Sequence, residues 1–231
     1  MALINDFLSL IYPRHCEACG NSLFKHEHFI CNYCKIRLPK SNFHLQSSNE
    51  LHYVFAGRIP FILAGSLYIF EKSGKIQKLL HAIKYQNQKE LAEFLGKIYA
   101  EDLLKDEVLK DVDCIIPIPL HKNKLKQRGF NQSEWFAKGI SIGLNIKMDT
   151  AAMLRKTETE TQTKKKKYER WENVEGIFEL TDEAALVNKH VLIVDDVITT
   201  GATLEAAWNC LKEVEGIKIS VASLAFAKKA N

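Results

Sequence analysis

Val191-Leu192-Ile193-Val194-Asp195-Asp196-Val197-Ile198-Thr199-Thr200-Gly201-Ala202-Thr203 is four apolar residues, two carboxylates and a hydroxyl-rich turn around one glycine. The tetrad is β-branched at three of four positions and shows no polar alternation, which predicts a strand buried on both faces of a parallel sheet. Ligands of open α/β sheets sit beyond the carboxyl ends of such strands, where Asp195 and Asp196 emerge. Backbone amides of the turn can converge on a phosphate, with Gly201 removing a Cβ that would block its approach. Thr203 is expected to cap a helix over roughly 204–214, whose dipole adds positive potential at the same point. Carboxylates do not serve the phosphate itself. They suit the vicinal hydroxyls of a ribose, or a Mg²⁺ shared with a diphosphate.

Across all thirteen residues this run resembles the 5-phosphoribosyl-1-diphosphate (PRPP) motif of the type I phosphoribosyltransferases. That resemblance implies that Asp195 and Asp196 contact the ribose 2′- and 3′-hydroxyls. It implies that Thr199, Thr200, Gly201, Ala202 and Thr203 hold the 5′-phosphate, with Val197 in the same PRPP site. A buried strand followed by an ordinary polar turn would not require this turn chemistry. Bacterial receiver domains also carry paired acids after an apolar strand, but near the start of the domain and without the Thr-Thr-Gly-Ala-Thr turn.

The chain has 231 residues, 46% of them hydrophobic, enough for one substantial α/β core and a small appendage. The apolar stretch 7–12 is too short for a signal peptide or a membrane span, so no membrane insertion and a cytoplasmic location are expected. Net charge is only +4, yet residues 121–170 hold 13 Lys and Arg against 5 Asp and Glu, while the rest holds 19 against 23. A local excess of this kind suits a polyanion, either a diphosphate or a nucleic acid.

Cys16-Glu17-Ala18-Cys19 and Cys31-Asn32-Tyr33-Cys34 form two CxxC pairs. Four thiolates at this spacing fit a closed tetrahedral zinc site that supplies folding energy and leaves no open position for catalysis. The alternative is two disulfides, which a reducing compartment disfavours. His15, His26 and His28 read as surface side chains beside this set. Cys114 and Cys210 read as core residues. The module is assigned to residues 1–45 and the larger domain to 46–231.

Between these ends the pattern predicts a strand over 62–70, helices from about Ser73 to Tyr85 and over about 89–104, and a strand over 112–118 stopped by Pro117 and Pro119. A basic loop with His121, Lys122, Lys124, Lys126 and Arg128 then leads into a helix that opens near Gly129 and runs through Gly139. The loop is either a second anion site or an ordinary solvated connection. An edge segment 153–155 and a return to strand at 176–180 flank a polar excursion, 156–175, that is either a lid or a surface loop. Trp135 and Trp208 read as packing, without stacking on the basic residues.

In this order the chain resembles the ComF/GntX family of phosphoribosyltransferase-like proteins. The match includes Tyr12-Pro13-Arg14, both CxxC pairs, Leu38-Pro39, Lys84-Tyr85, Pro117-Ile118-Pro119-Leu120, Arg128-Gly129-Phe130-Asn131-Gln132, Thr161-Gln162-Thr163, Arg170, Asn173, Gly176 and the PRPP run. Asn87 departs from the glycine usual after Lys-Tyr, but asparagine tolerates a left-handed backbone. The resemblance implies a type I phosphoribosyltransferase fold, a parallel sheet flanked by helices, with a small N-terminal Cys₄ zinc knuckle and a DNA translocase or helicase as partner.

Two functions stand open at this point. In the first, an acceptor nucleophile displaces diphosphate at C1 of the ribose, with Asp195, Asp196 and Arg128 as catalytic residues and Lys84 and Mg²⁺ also acting on the diphosphate. In the second, the fold is a non-catalytic module that senses PRPP or grips single-stranded DNA through the 121–170 patch.

Overall fold

The 191–198 run forms one of the two inner strands of the sheet it predicts. The computed structural model describes residues 13–46, 48–105, 107–156 and 176–228. Four parallel strands run in the order β1 (Ala64–Phe70), β6 (Lys218–Ala227), β5 (His190–Ile198), β2 (Cys114–Pro117). Val191 to Val194 have no accessible surface, as a strand covered on both faces requires. A separate antiparallel pair joins β3 (Met153–Arg155) to β4 (Phe178–Leu180).

Seven α-helices, with three short 3-10 helices, complete the described residues: α1 (Asn32–Arg37), α2 (Glu50–Phe55), α3 (Lys75–Tyr85), α4 (Lys89–Leu103), α5 (Lys122–Arg128), α6 (Gln132–Leu144) and α7 (Ala202–Leu211). Helix α3 forms where the apolar spacing places it, burying Ile76, Leu79, Leu80 and Ile83 together. Asn87, at φ 55°, takes the left-handed conformation that turns the chain from α3 into α4. Helices α4 and α6 approach at their glycines: a Cβ on Gly96 would strike the Phe136 carbonyl oxygen, and one on Gly139 the Glu93 carbonyl. No helix among the described residues is long and apolar enough to cross a membrane.

Three local expectations need correction. The basic stretch after β2 is not a loop but a short helix, α5, ended by Gly129 at φ 80°. Helix α6 begins at Gln132, because Asn131 caps it by accepting from the Ser133 amide. Helix α7 begins at Ala202 with Gly201 as its N-cap residue, so Thr203 is already inside the helix. Residues 1–12 and 157–175, with the lid expected there and Thr161, Gln162, Thr163, Arg170, Trp171 and Asn173, lie outside the described residues.

The cysteine-bearing segment packs into the main body. Cys16, Ala18, Ile30, Cys31, Cys34 and Leu38 share one buried cluster with α3 and α4, and the Phe29 ring lies 5.5 Å from that of Phe94. Beyond α1 the chain runs along β1, where Ser41 donates to the Leu67 carbonyl and Ile69 to the Pro39 carbonyl.

Candidate functional site

Strand β5 delivers both acids at its carboxyl end. Asp195 sits at the start of α6, where Ser133 Oγ donates to its Oδ1 at 3.2 Å and the Asp196 amide donates to the same oxygen at 2.8 Å. Asparagine 131 fixes this corner by donating to the Ile118 carbonyl at the end of β2. Burial, and then the neighbouring Asp196 charge, push the Asp195 carboxyl up to about 7. Asp196 is more open and forms an ion pair with Lys84, Nζ to Oδ2 2.7 Å.

Lys84 and Tyr85 end helix α3, and the Arg128 guanidinium lies 5.9 Å from the Tyr85 ring centre. Arg128 Nη1 also donates to Gln132 Oε1 at 2.8 Å. Thus Lys84, Arg128 and Asp196, far apart in sequence, are gathered through α3 and the start of α6. Asp195 and Asp196 are adjacent but unlike: one carboxyl is buried against α6, the other is half-exposed and balanced by a cation.

Beyond the acids, Val197, Thr199, Thr200, Gly201, Ala202 and Thr203 line a pocket of about 40 Å³ that also touches Asp195. Thr199 and Thr200 are exposed; the N-cap residue Gly201 has no side chain to cap α7, and the Ala202 amide makes a long bond, 3.5 Å, to Thr200 Oγ1. The first amides of a helix lack intrahelical acceptors, so those beside this pocket can donate to an anion. Gly201 serves a different purpose from the one expected. Its φ of 80° makes the turn, and a Cβ there would sit 2.8 Å from Cζ of Phe55, against the protein interior and not against a ligand.

Arg58 is the residue that sequence reading missed. It follows α2, donates to Glu205 Oε2 at 2.8 Å and to the Val54 carbonyl, and reaches the Thr200 carbonyl at 3.5 Å. No local signal marks it, since Thr200 is 142 positions away. Trp135 packs against the core as expected, but it also meets basic side chains: Lys138 and Lys89 lie 4.4 Å and 4.8 Å from its ring centre.

The sulfurs of Cys16, Cys19, Cys31 and Cys34 all lie within 4.8 Å of one another, and those of Cys19 and Cys31 are 3.8 Å apart. A tetrahedral zinc with Zn–S bonds of ~2.3 Å spaces its sulfurs by ~3.8 Å, so the donor set fits that metal. Burial opposes thiolate formation at Cys16, but the amides of Cys31, Cys19 and Ala18 outweigh it and bring the thiol down to about 7. Lys75 Nζ lies 3.6 Å from Cys34 Sγ and supplies a compensating positive charge. His15, His26 and His28 are exposed and outside the cluster. Cys114 and Cys210 are half-buried, and burial pushes both thiols up, Cys114 to about 11.

Comparison with known proteins bears on this geometry. Residues 131–231 match the phosphoribosyl transferase domain, a span that starts at the Asn131 cap and contains the acids and the turn but not Lys84 or Arg128. Competence protein F of Haemophilus influenzae is 30% identical over 153 residues, 64% of this chain and 67% of that protein. The chain belongs to the ComF family. Another ComF relative, competence protein ComFC of Bacillus subtilis, is 26% identical over 214 residues, 87% of this chain and 85% of its own. DNA utilization protein YhgH of Escherichia coli O6:H1 is 32% identical over 132 residues, a match spanning 56% of this chain and 57% of that relative's length.

Proposed function

We propose that the chain binds PRPP together with Mg²⁺ and transfers its phosphoribosyl group to an acceptor, releasing diphosphate. The observation that carries this reading is the glycine-started first turn of α7 lining a small pocket at the end of an inner parallel strand, with two acids beside it. The turn amides and the Thr199, Thr200 and Thr203 hydroxyls hold the 5′-phosphate. Asp196 accepts from a ribose hydroxyl, and Asp195, steadied by Ser133, lies next to it.

Lys84 now neutralises Asp196, so ligand binding exchanges that partner: the ammonium turns to the diphosphate as the carboxylate turns to the sugar. Arg128 adds a second positive charge to the departing diphosphate. Mg²⁺, when bound, would be held by these carboxylates and the diphosphate, and would supply charge stabilisation to the leaving group. The anomeric carbon loses its bond to diphosphate as it gains one to the acceptor. Similarity to competence protein F, competence protein ComFC and DNA utilization protein YhgH supports a role in competence and DNA use; a DNA translocase as partner and a cytoplasmic location are part of the same proposal. Single-stranded DNA held by the 121–170 charges is the alternative ligand.

Calorimetric titration with PRPP and Mg²⁺ tests the reading. We expect saturable binding that disappears in the Asp195→Asn, Asp196→Asn double variant, with diphosphate release in the presence of a suitable acceptor. Absence of heat and of saturation at millimolar PRPP would overturn it.

A further inference from the structure

A second cleft, larger than the pocket at the acids, lies elsewhere on the described residues. It has a volume of about 460 Å³ and lies between the first cysteine knuckle and the outer face of α3. This is within the ~300–1,000 Å³ range of small-molecule sites. None of its lining residues belongs to the 195–204 pocket.

The lining chemistry is specific. Glu17, between the first two cysteines, presents a carboxylate from one wall; Gln77, Lys78, His81 and Gln86 present two amides, an ammonium and an imidazole from the other. Gln88 donates to Glu17 Oε1 at 3.4 Å, and Gln77 Oε1 accepts from the Ser73 amide at 2.6 Å. The Gln77 amide nitrogen, both Gln86 side-chain groups and the second Glu17 oxygen have no hydrogen-bond partner among the described residues. Each glutamine offers one acceptor and two donors, and the carboxylate only accepts. A ligand filling the cleft must therefore carry donors and acceptors along the same edge. The imidazole of His81, tilted 45° to the Tyr85 ring at 5.0 Å, offers a flat face on which a planar ring can stack.

We propose that this cleft is a second ligand site, for a free nucleobase or its nucleoside. The exocyclic amine or ring N–H of the base donates to Glu17. The glutamines read the remaining edge, and the ring lies on His81. Lys78, a further lining residue, can donate to a nucleoside's hydroxyls. Because Glu17 lies between Cys16 and Cys19, the site is whole only when the metal knuckle is formed. Because α3 carries Lys78 and His81 on this cleft and Lys84 on Asp196, the two sites share one helix.

Adenine and guanine, titrated into the metal-loaded full chain and followed by saturation-transfer NMR, are the probes. Binding should saturate in the millimolar range or below. It should weaken roughly tenfold in Glu17→Gln, as expected for loss of one charged hydrogen bond, and weaken also in Gln77→Ala and His81→Ala. Gln77 and His81 are exposed, so these two variants keep the test open if Glu17→Gln disturbs the knuckle. The Asp195→Asn, Asp196→Asn variant should bind the bases unchanged, which separates this site from the PRPP reading. Failure of both bases to saturate would overturn the proposal. So would saturation indifferent to all three variants, or binding of a short single-stranded oligonucleotide with none of the free bases.

Discussion

Replacing Gly201 by alanine tests how the phosphate turn is built. Two costs arise at one position. A φ of 80° disfavours any residue with a Cβ by about 1–2 kcal/mol. The added carbon would also lie 2.8 Å from Cζ and 3.2 Å from Cδ1 of Phe55 and closer still to Cε1, an overpacking worth about 1–3 kcal/mol. Gly201→Ala should therefore lower unfolding free energy by roughly 2–5 kcal/mol in urea titrations. In a Phe55→Leu background the Cε1 and Cζ atoms are gone, so the same substitution should cost only the conformational part, about 1–2 kcal/mol. An equal cost in both backgrounds would refute the claim that Phe55 dictates glycine here. A loss below about 0.5 kcal/mol in the parent would refute the claim that the turn is constrained at all.

Three other perturbations have definite expected outcomes. Asp195 in the folded protein holds its proton up to about 7, whereas an unfolded aspartate releases it near 3.8. Stability should fall as pH rises through that window and level off above it, and Asp195→Asn should abolish the slope in urea midpoints measured across the window. Metal analysis should find about one zinc per chain, and Cys34→Ser, at a fully buried sulfur ligand, should lower both zinc content and the melting temperature; a folded chain with four free thiols would contradict this. Gly139→Ala pushes α6 off α4 at the Glu93 carbonyl and should destabilise by about 1–3 kcal/mol, read by thermal unfolding.

The β5 run was legible because burial on both faces demands an unbroken apolar string, and such a string followed by acids and hydroxyls has few alternatives. Helix α3 was legible from its 3.6-residue spacing, and the cysteine set from its paired knuckles. The α7 boundary was not, because Thr203 resembles a cap while the backbone of Gly201 starts the helix two residues sooner. Helix α5 carried a readable stop in Gly129, but its charge suggested a loop and it buries no residue. Arg58 had no signal at all. Its place beside Thr200 comes from α2 packing near β1 and α7, a tertiary event that no local pattern records.

The strand order has a consequence for how the chain acquires its shape. Among the described residues, strands β1 and β2 lie at opposite edges of the sheet and are joined through β5 and β6, which come last in the chain. Ala64 must wait for Val221, roughly 150 residues downstream, before it finds its neighbour. During synthesis the early helices can gather only around an unfinished scaffold, and the segment that completes the sheet also carries the phosphate turn. Premature termination before residue 190 would thus leave no half-working remnant, only a chain whose edges have nothing to join.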